Sequence, residues 1–231
     1  MASARLPLRL QALLDALEHA DCLADVACDH AWFAIAAVQS GRAERAVAID
    51  VAAGPLAAAD RHVAAAGLGA RVATRRGDGL LPLAAGEADV VAVAGIGGRL
   101  LAAMLTAAGP DLRGARRLLL SPHGDEVEVR RALALAGWGT RREWLVQERG
   151  RRYVQLDVDA EAPAFDPADE AGLFVGYLGR DAEPAAFAAW REANRARLLR
   201  EVAALERAGD EPARLAQRCA HLRAIDSTIR T

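Results

Sequence analysis

With 231 residues and 53% hydrophobic side chains, the chain is long enough to bury one sizeable core with a small appendage, and it reads as a soluble globular protein. No window approaches the roughly 18 consecutive apolar residues of a membrane span, and the opening Met-Ala-Ser-Ala-Arg-Leu-Pro lacks the pattern of a secretory leader, so a cytoplasmic protein is expected. The net charge of −2 excludes a globally basic protein but hides an uneven distribution: residues 113–152 carry ten arginines against five acids, and residues 157–183 carry one against eight.

In chain order, a helix over residues 5–19 is expected first, with Leu6, Leu10, Leu13, Leu14 and Leu17 on one face. Short apolar runs follow at 22–28, 45–50, 71–76, 89–94 and 116–121, separated by helical stretches near 31–40, 54–66, 97–108 and 125–136. Alternation at this spacing means βαβ units and a parallel sheet with helices on both faces. Two further strands, near 139–147 and 152–158, are joined by Glu148-Arg149-Gly150-Arg151 as a hairpin, which makes the last strand antiparallel. The expected fold class is therefore α/β, a Rossmann-like doubly wound sheet of seven strands. Residues 161–183 are rich in Pro, Gly and acids and read as a connector. Beyond Pro184, Phe187, Trp190, Leu198, Val202 and Leu205 recur at helical spacing, Gly209 interrupts them, and Leu215, Cys219, Leu222 and Ile225 resume the pattern as a coiled-coil-like helical hairpin. The division expected is 1–160, 161–183 and 184–231.

In such sheets ligands bind beyond the carboxyl ends of the strands, near the switch in strand order. The residues there are Asp25-Val-Ala-Cys-Asp-His-Ala31 after the first strand, Asp50 and Val51 after the second, Gly77-Asp78-Gly79 after the third and Ala94-Gly95-Ile96-Gly97-Gly98 after the fourth. A carboxylate closing the second strand suits two ribose hydroxyls, and an acid after the third can accept from an adenine amino group. The first loop reads Ala27-Cys28-Asp29-His30 instead of the GxGxxG that pyrophosphate needs. Cationic, phosphate-free S-adenosylmethionine fits better than a dinucleotide, with Asp25 facing its amino group. A metal site at Cys28, Asp29 and His30 is disfavoured because consecutive residues point in different directions and no distant Cys/His set completes it. For His30, a hydrogen-bonded structural role and a catalytic one both stand, and Gly95, Gly97 and Gly98 could serve only a tight turn.

Taken together and in order, Asp-x-x-Cys-Asp-His-Ala-aromatic, the Asp50-to-Pro55 acid-x-x-x-Gly-Pro, Gly-Asp-Gly-Leu at 77–80 and Ala-Gly-Ile-Gly-Gly at 94–98 resemble the bacterial tRNA (adenine(22)-N(1))-methyltransferase family. The similarity runs through roughly residues 20–158, and the family also carries a C-terminal helical hairpin. Departures are Ala27 where Gly is usual, Trp32 for Tyr, Ala34 for Pro, Ile96 for Met, and Ser121-Pro122-His123 where Gln-Pro is usual. The resemblance implies an S-adenosylmethionine-dependent enzyme that methylates N1 of an adenine in tRNA; separately, no metal is expected, and the chain is expected to be a monomer or weak homodimer. The resemblance also implies cofactor contacts from Asp25, Ala27, Cys28, Asp29, His30, Asp50, Val51, Gly77, Asp78, Gly79, Ala94 and Gly95. Asp29 and His30 become the catalytic candidates, with Trp32, Ile96, Gly97, Arg151 and Arg152 on the substrate side. Trp32 would stack on the target base, and the arginines from 113 to 152 together with the hairpin would hold the RNA backbone. His19, His62, His123 and His221 read as surface or packing residues. A methyltransferase for another RNA or a small molecule, and a non-catalytic RNA- or protein-binding module, are the alternative functions.

Overall fold

The structure is a computed structural model and describes residues 6–209 and 211–228. Seven strands, β1 (Ala20–Val26), β2 (Ala43–Asp50), β3 (Val72–Arg76), β4 (Val90–Ala94), β5 (Arg117–Ser121), β6 (Gly139–Glu148) and β7 (Arg151–Asp159), form one sheet in the order β3-β2-β1-β4-β5-β7-β6. Only β7 runs against its neighbours. Helices α1 (Leu8–Ala16), α2 (Trp32–Gln39), α3 (Ala53–Ala65), α4 (Gly98–Ala108) and α5 (Glu126–Leu135) complete the α/β part. The strands expected from sequence are all present, each end displaced by no more than two residues. The first helix is shorter than its apolar stripe suggests, since it begins after Pro7 and ends where Leu17 turns extended; residue 5, where it was expected to start, lies outside the described residues.

Period-2 alternation divides the core. On β1, Cys22, Ala24 and Val26 join one buried cluster while Leu23 joins the other; on β4, Val91 and Val93 face one way and Val90 and Ala92 the other. Helices α1, α2 and α3 supply Leu13, Phe33, Ile35 and Val63 to one cluster, and α4 and α5 supply Leu101, Leu105 and Leu133 to the opposite one. The β6–β7 hairpin turns on Arg149 and Gly150, both with positive φ (49° and 77°), the geometry that matches strand twist.

The segment expected as a connector forms two short helices, α6 (Glu170–Val175) and α7 (Leu178–Asp181), ahead of the hairpin helices α8 (Pro184–Ala208) and α9 (Pro212–Ser227). Phe174, Leu178, Trp190, Leu198 and Ile225 pack into the α4/α5 cluster. A buried ion pair fastens this segment down: Arg130 makes a double hydrogen bond with Glu143 (2.7 and 2.8 Å) and donates to the carbonyls of Leu173 and Phe174. The basic stretch 113–152 is thus not a free RNA-binding run. Arg117 is buried against Asp157, Arg130 against Glu143, Arg113 donates to the Leu83 carbonyl, and Arg131 pairs with Glu170. Burying a guanidinium requires such partners, so part of the apparent charge excess is neutralised inside the fold.

Candidate active site

The carboxyl ends of β1 and β4 lie side by side at the switch in strand order, Val26 pairing with Ile49 on one side and Val93 on the other. The loop leaving β1 holds Ala27, Asp29 and Ala31 at φ of 57°, 53° and 58°. Each non-glycine residue in this region costs on the order of 1 kcal/mol, so the loop persists only because neighbouring elements hold it. Cys28 N–H donates to the Ile49 carbonyl (3.0 Å) and Ala31 N–H to the Cys28 carbonyl (2.9 Å). Asp50 Oδ2 accepts from Asp29 N–H (3.1 Å), and its other oxygen accepts from Ala52 N–H (2.9 Å). Burial pushes the Cys28 thiol far above its ordinary value, so its sulfur stays protonated and its backbone carries the contacts.

Asp25 is buried and accepts from Ala34 N–H (3.1 Å) in the first turn of α2, a helix whose N-cap residue, Ala31, offers no side-chain acceptor. Burial pushes its carboxyl up to about 7; the Ala34 hydrogen bond opposes this, and the nearby Asp50 charge adds to it.

A cavity of about 270 Å³ opens between these strand ends. It is lined by Asp25 and Ala27 to His30 of the β1 loop and by Trp32 and Phe33 of α2. Ala94, Gly95 and Ile96 after β4 line it too, as do Pro7, Arg9 and Leu10 at the start of α1. Gly95 has φ of 86°, and a Cβ there would meet nothing within 4 Å, so its place beside the cavity is open. Gly98 differs, because a Cβ would lie 2.2 Å from the Gly124 carbonyl oxygen, and its absence lets α4 approach the loop after β5. Gly97 is the exposed residue preceding α4 and does not line the cavity.

Gly77 N–H donates to the Asp50 carbonyl (3.1 Å), which draws the third motif toward the second. Asp78 and Gly79, however, line a separate concavity of about 210 Å³ with Leu81, Leu100 and Met104. Val51 is exposed on the same edge. Arg151 and Arg152 are exposed at the start of β7, outside the cavity, and neither pairs with an acid among the described residues.

His62 of α3 was expected at the surface or in packing. It stacks on Trp32, ring centroids 4.0 Å apart, and its Nδ1 lies 3.2 Å from the His30 carbonyl. One face of Trp32 is thereby filled, leaving only the other for a base, a limit the sequence did not reveal. The Nδ1 of His30 is buried without a partner among the described residues. Arg9, Glu148, Tyr153 and His62 all border or brace the site and were missed. Arg9 pairs with Glu148, to which Leu8 N–H also donates, and Arg9 lies over the Tyr153 ring, which in turn meets His123 at 5.0 Å. Glu148 and Tyr153 belong to the closing Leu145-Val-Gln-Glu and Tyr153-Val-Gln-Leu pair of the family resemblance, but nothing in that pair points to this site; the sheet order brings α1 and the β6–β7 hairpin to this edge.

An open sheet whose switch point forms a cavity lined by acids defines a class, and the family model described as a methyltransferase domain matches residues 6–156. The tRNA (adenine(22)-N(1))-methyltransferase of Bacillus subtilis (strain 168) is 32% identical over 196 residues, 83% of this chain and 82% of that protein. The crystal structure of the B. subtilis m1A22 tRNA methyltransferase TrmK matches with a TM-score of 0.85 at 28% identity, over 97% of this chain and 99% of that one. A Streptococcus pneumoniae protein solved in complex with S-adenosyl-L-methionine matches with a TM-score of 0.78 at 27% identity, over 97% and 99% of the two chains. This chain belongs to the tRNA (adenine(22)-N(1))-methyltransferase family.

Proposed function

We propose that the chain transfers a methyl group from S-adenosylmethionine to N1 of an adenine in tRNA, adenine 22 being the position the family name supplies. The observation that carries this reading is the cavity at the β1–β4 switch point, lined by the loops that bear the first and fourth family motifs. The site fits the cofactor: it combines buried and exposed carboxylates, an unpartnered buried His30 nitrogen and open space at Gly95, with no phosphate-binding glycine triad.

When bound, S-adenosylmethionine supplies an electrophilic methyl group on a sulfonium. Adenine N1 keeps a free lone pair at neutral pH, so no residue has to remove a proton first. The task of the chain is to hold N1 in line with the methyl and to meet the positive charge that grows on the base. Asp50 is suited to the ribose hydroxyls through its free lone pairs, with Val51 beside it, and Asp78, between Gly77 and Gly79, to the adenine of the cofactor. Asp25, Ala27, Cys28, Ala94 and Gly95 form the part of the cavity suited to the methionine end. Asp29 and His30 border it with a carboxylate and an imidazole 3.6 Å apart, suited to face the cationic product and the amino protons of the base. Ile96 and Gly97 leave room for that base, and the free face of Trp32 can stack on it. N1 lies on the pairing edge, so the nucleotide has to leave its partner first. Arg151 and Arg152, exposed beside the hairpin tip, suit the RNA backbone. In this reading residues 1–160 bind cofactor and base, and the hairpin at 184–231, beyond the 161–183 segment, adds RNA contacts.

The test is incubation with S-adenosylmethionine and unmodified tRNA transcripts, followed by nuclease digestion and mass spectrometry of the nucleosides. One equivalent of 1-methyladenosine is expected, lost when adenine 22 is replaced by guanine. Cofactor binding without any methylated adenosine would overturn the proposal.

A further inference from the structure

We propose that His123 is a stacking platform for the nucleotide next to the target adenine, taking the base face that is bared when the adenine turns into the cavity. This rests on the tRNA reading above and gives a role to a residue that otherwise counts as surface.

His123 is exposed just beyond β5, one hydrogen bond from the cavity. Its backbone N–H donates to the Ile96 carbonyl (2.8 Å), and Ile96 lines the cavity while His123 stays outside it. The loop that carries it is held in place, since the buried Ser121 hydroxyl accepts from the Gln155 amide (3.0 Å) and Pro122 is buried after it. The imidazole leans on half-buried Tyr153, ring centroids 5.0 Å apart at 50°, and Arg9 lies over the Tyr153 ring, 5.7 Å from its centroid. Tyr153 is then a positioning residue that fixes the exposed ring. A nucleotide turned out of a strand leaves its neighbour without a stacking partner, which is part of the cost of the flip. An aromatic side chain at the mouth of the cavity replaces that partner, and it does so for any base because every base has a π-face. Charge decides between a base and a phosphate as the ligand. Burial holds the imidazole below its ordinary value, and the Arg9 and Arg151 charges push the same way against Glu148. The ring is therefore neutral near pH 7 and stacks, while the phosphates fall to Arg151 and Arg152.

The test is a cycle of protein and RNA changes read by tRNA binding to the full chain. His123→Ala should weaken intact tRNA at least about fivefold, the lower end of what one base stacked on an aromatic ring contributes, and His123→Phe should restore most of the loss. The slope of affinity against salt should not change, because no phosphate contact is removed. Calorimetric S-adenosylhomocysteine affinity should stay within about twofold, which separates the contact from damage to the fold. With a ligated tRNA that carries an abasic nucleotide on one side of adenine 22, the unaltered chain should bind as weakly as the alanine variant binds intact tRNA, and His123→Ala should then cost nothing more. A purely structural role would weaken the intact RNA and the abasic RNAs of either side equally. That result overturns the proposal, as does no loss with His123→Ala, or a salt slope reduced by about one, which would make His123 a phosphate ligand. Should the unaltered chain bind no tRNA at all, the tRNA reading fails and takes the proposal with it, an outcome distinct from a failure of the His123 contact alone.

Discussion

Replacing Asp25 with Asn tests how the site stores charge. The wild-type carboxyl is buried and pushed from its ordinary 3.8 to about 7. The folded protein therefore holds the proton after the unfolded chain has released it, and stability falls as pH rises from about 4 to about 7. Over roughly three pH units at about 1.4 kcal/mol each, the loss attributable to this group is about 4 kcal/mol, complete above pH 7. Asn is neutral throughout and its amide oxygen can still accept from Ala34 N–H, the contact that begins α2. Urea denaturation of both ligand-free proteins from pH 4.5 to 8 should show the Asn variant gaining on the wild type across that window, most strongly at pH 8. Taking the difference between the two proteins cancels the other titrating groups. A difference that stays constant to within about 1 kcal/mol across the range would refute the claim that Asp25 keeps its proton by burial. The same reasoning couples the group to the cofactor. On the proposed reading the ammonium group of S-adenosylhomocysteine beside Asp25 favours its ionised form, so affinity for that ligand should rise toward pH 7 in the wild type and lose that slope in the variant.

Other consequences are checked more simply. Ala27, at φ of 57°, should tolerate Gly with a stability gain of up to about 1 kcal/mol, whereas Val should cost more than about 1 kcal/mol; thermal denaturation reads both. Arg130→Met strands the buried Glu143 carboxylate and should cost about 3–5 kcal/mol in chemical denaturation, with much of the loss recovered when Glu143→Leu is added. Asp50→Ala removes the acceptor for Asp29 N–H and Ala52 N–H along with the proposed ribose partner, so calorimetric cofactor affinity should drop at least tenfold. Arg151→Glu with Arg152→Glu should weaken tRNA binding and reduce the salt slope by about one for each phosphate no longer neutralised, with S-adenosylhomocysteine affinity unchanged.

Much of this protein follows from local sequence. The apolar runs and their alternation set the number and order of strands because period-2 burial on both faces leaves few other solutions. The Arg149-Gly150 turn set the antiparallel last pair, and strand-end acids and glycines marked the edge where the cavity lies. Family motifs were legible for the same reason: each sits within a few residues of a strand end. What local sequence does not encode is contact between elements far apart in the chain. Whether an arginine faces RNA or a buried acid depends on what packs against it, which is why Arg117 and Arg130 proved structural while Arg151 and Arg152 stayed exposed. The partner filling one face of Trp32 comes from α3, thirty residues on. Arg9 reaches the cavity only because α1 packs beside the β6–β7 hairpin, 139 residues away at Glu148. Periodicity reports the environment of a residue's own element; the identity of its neighbour is settled by the order of strands in the sheet.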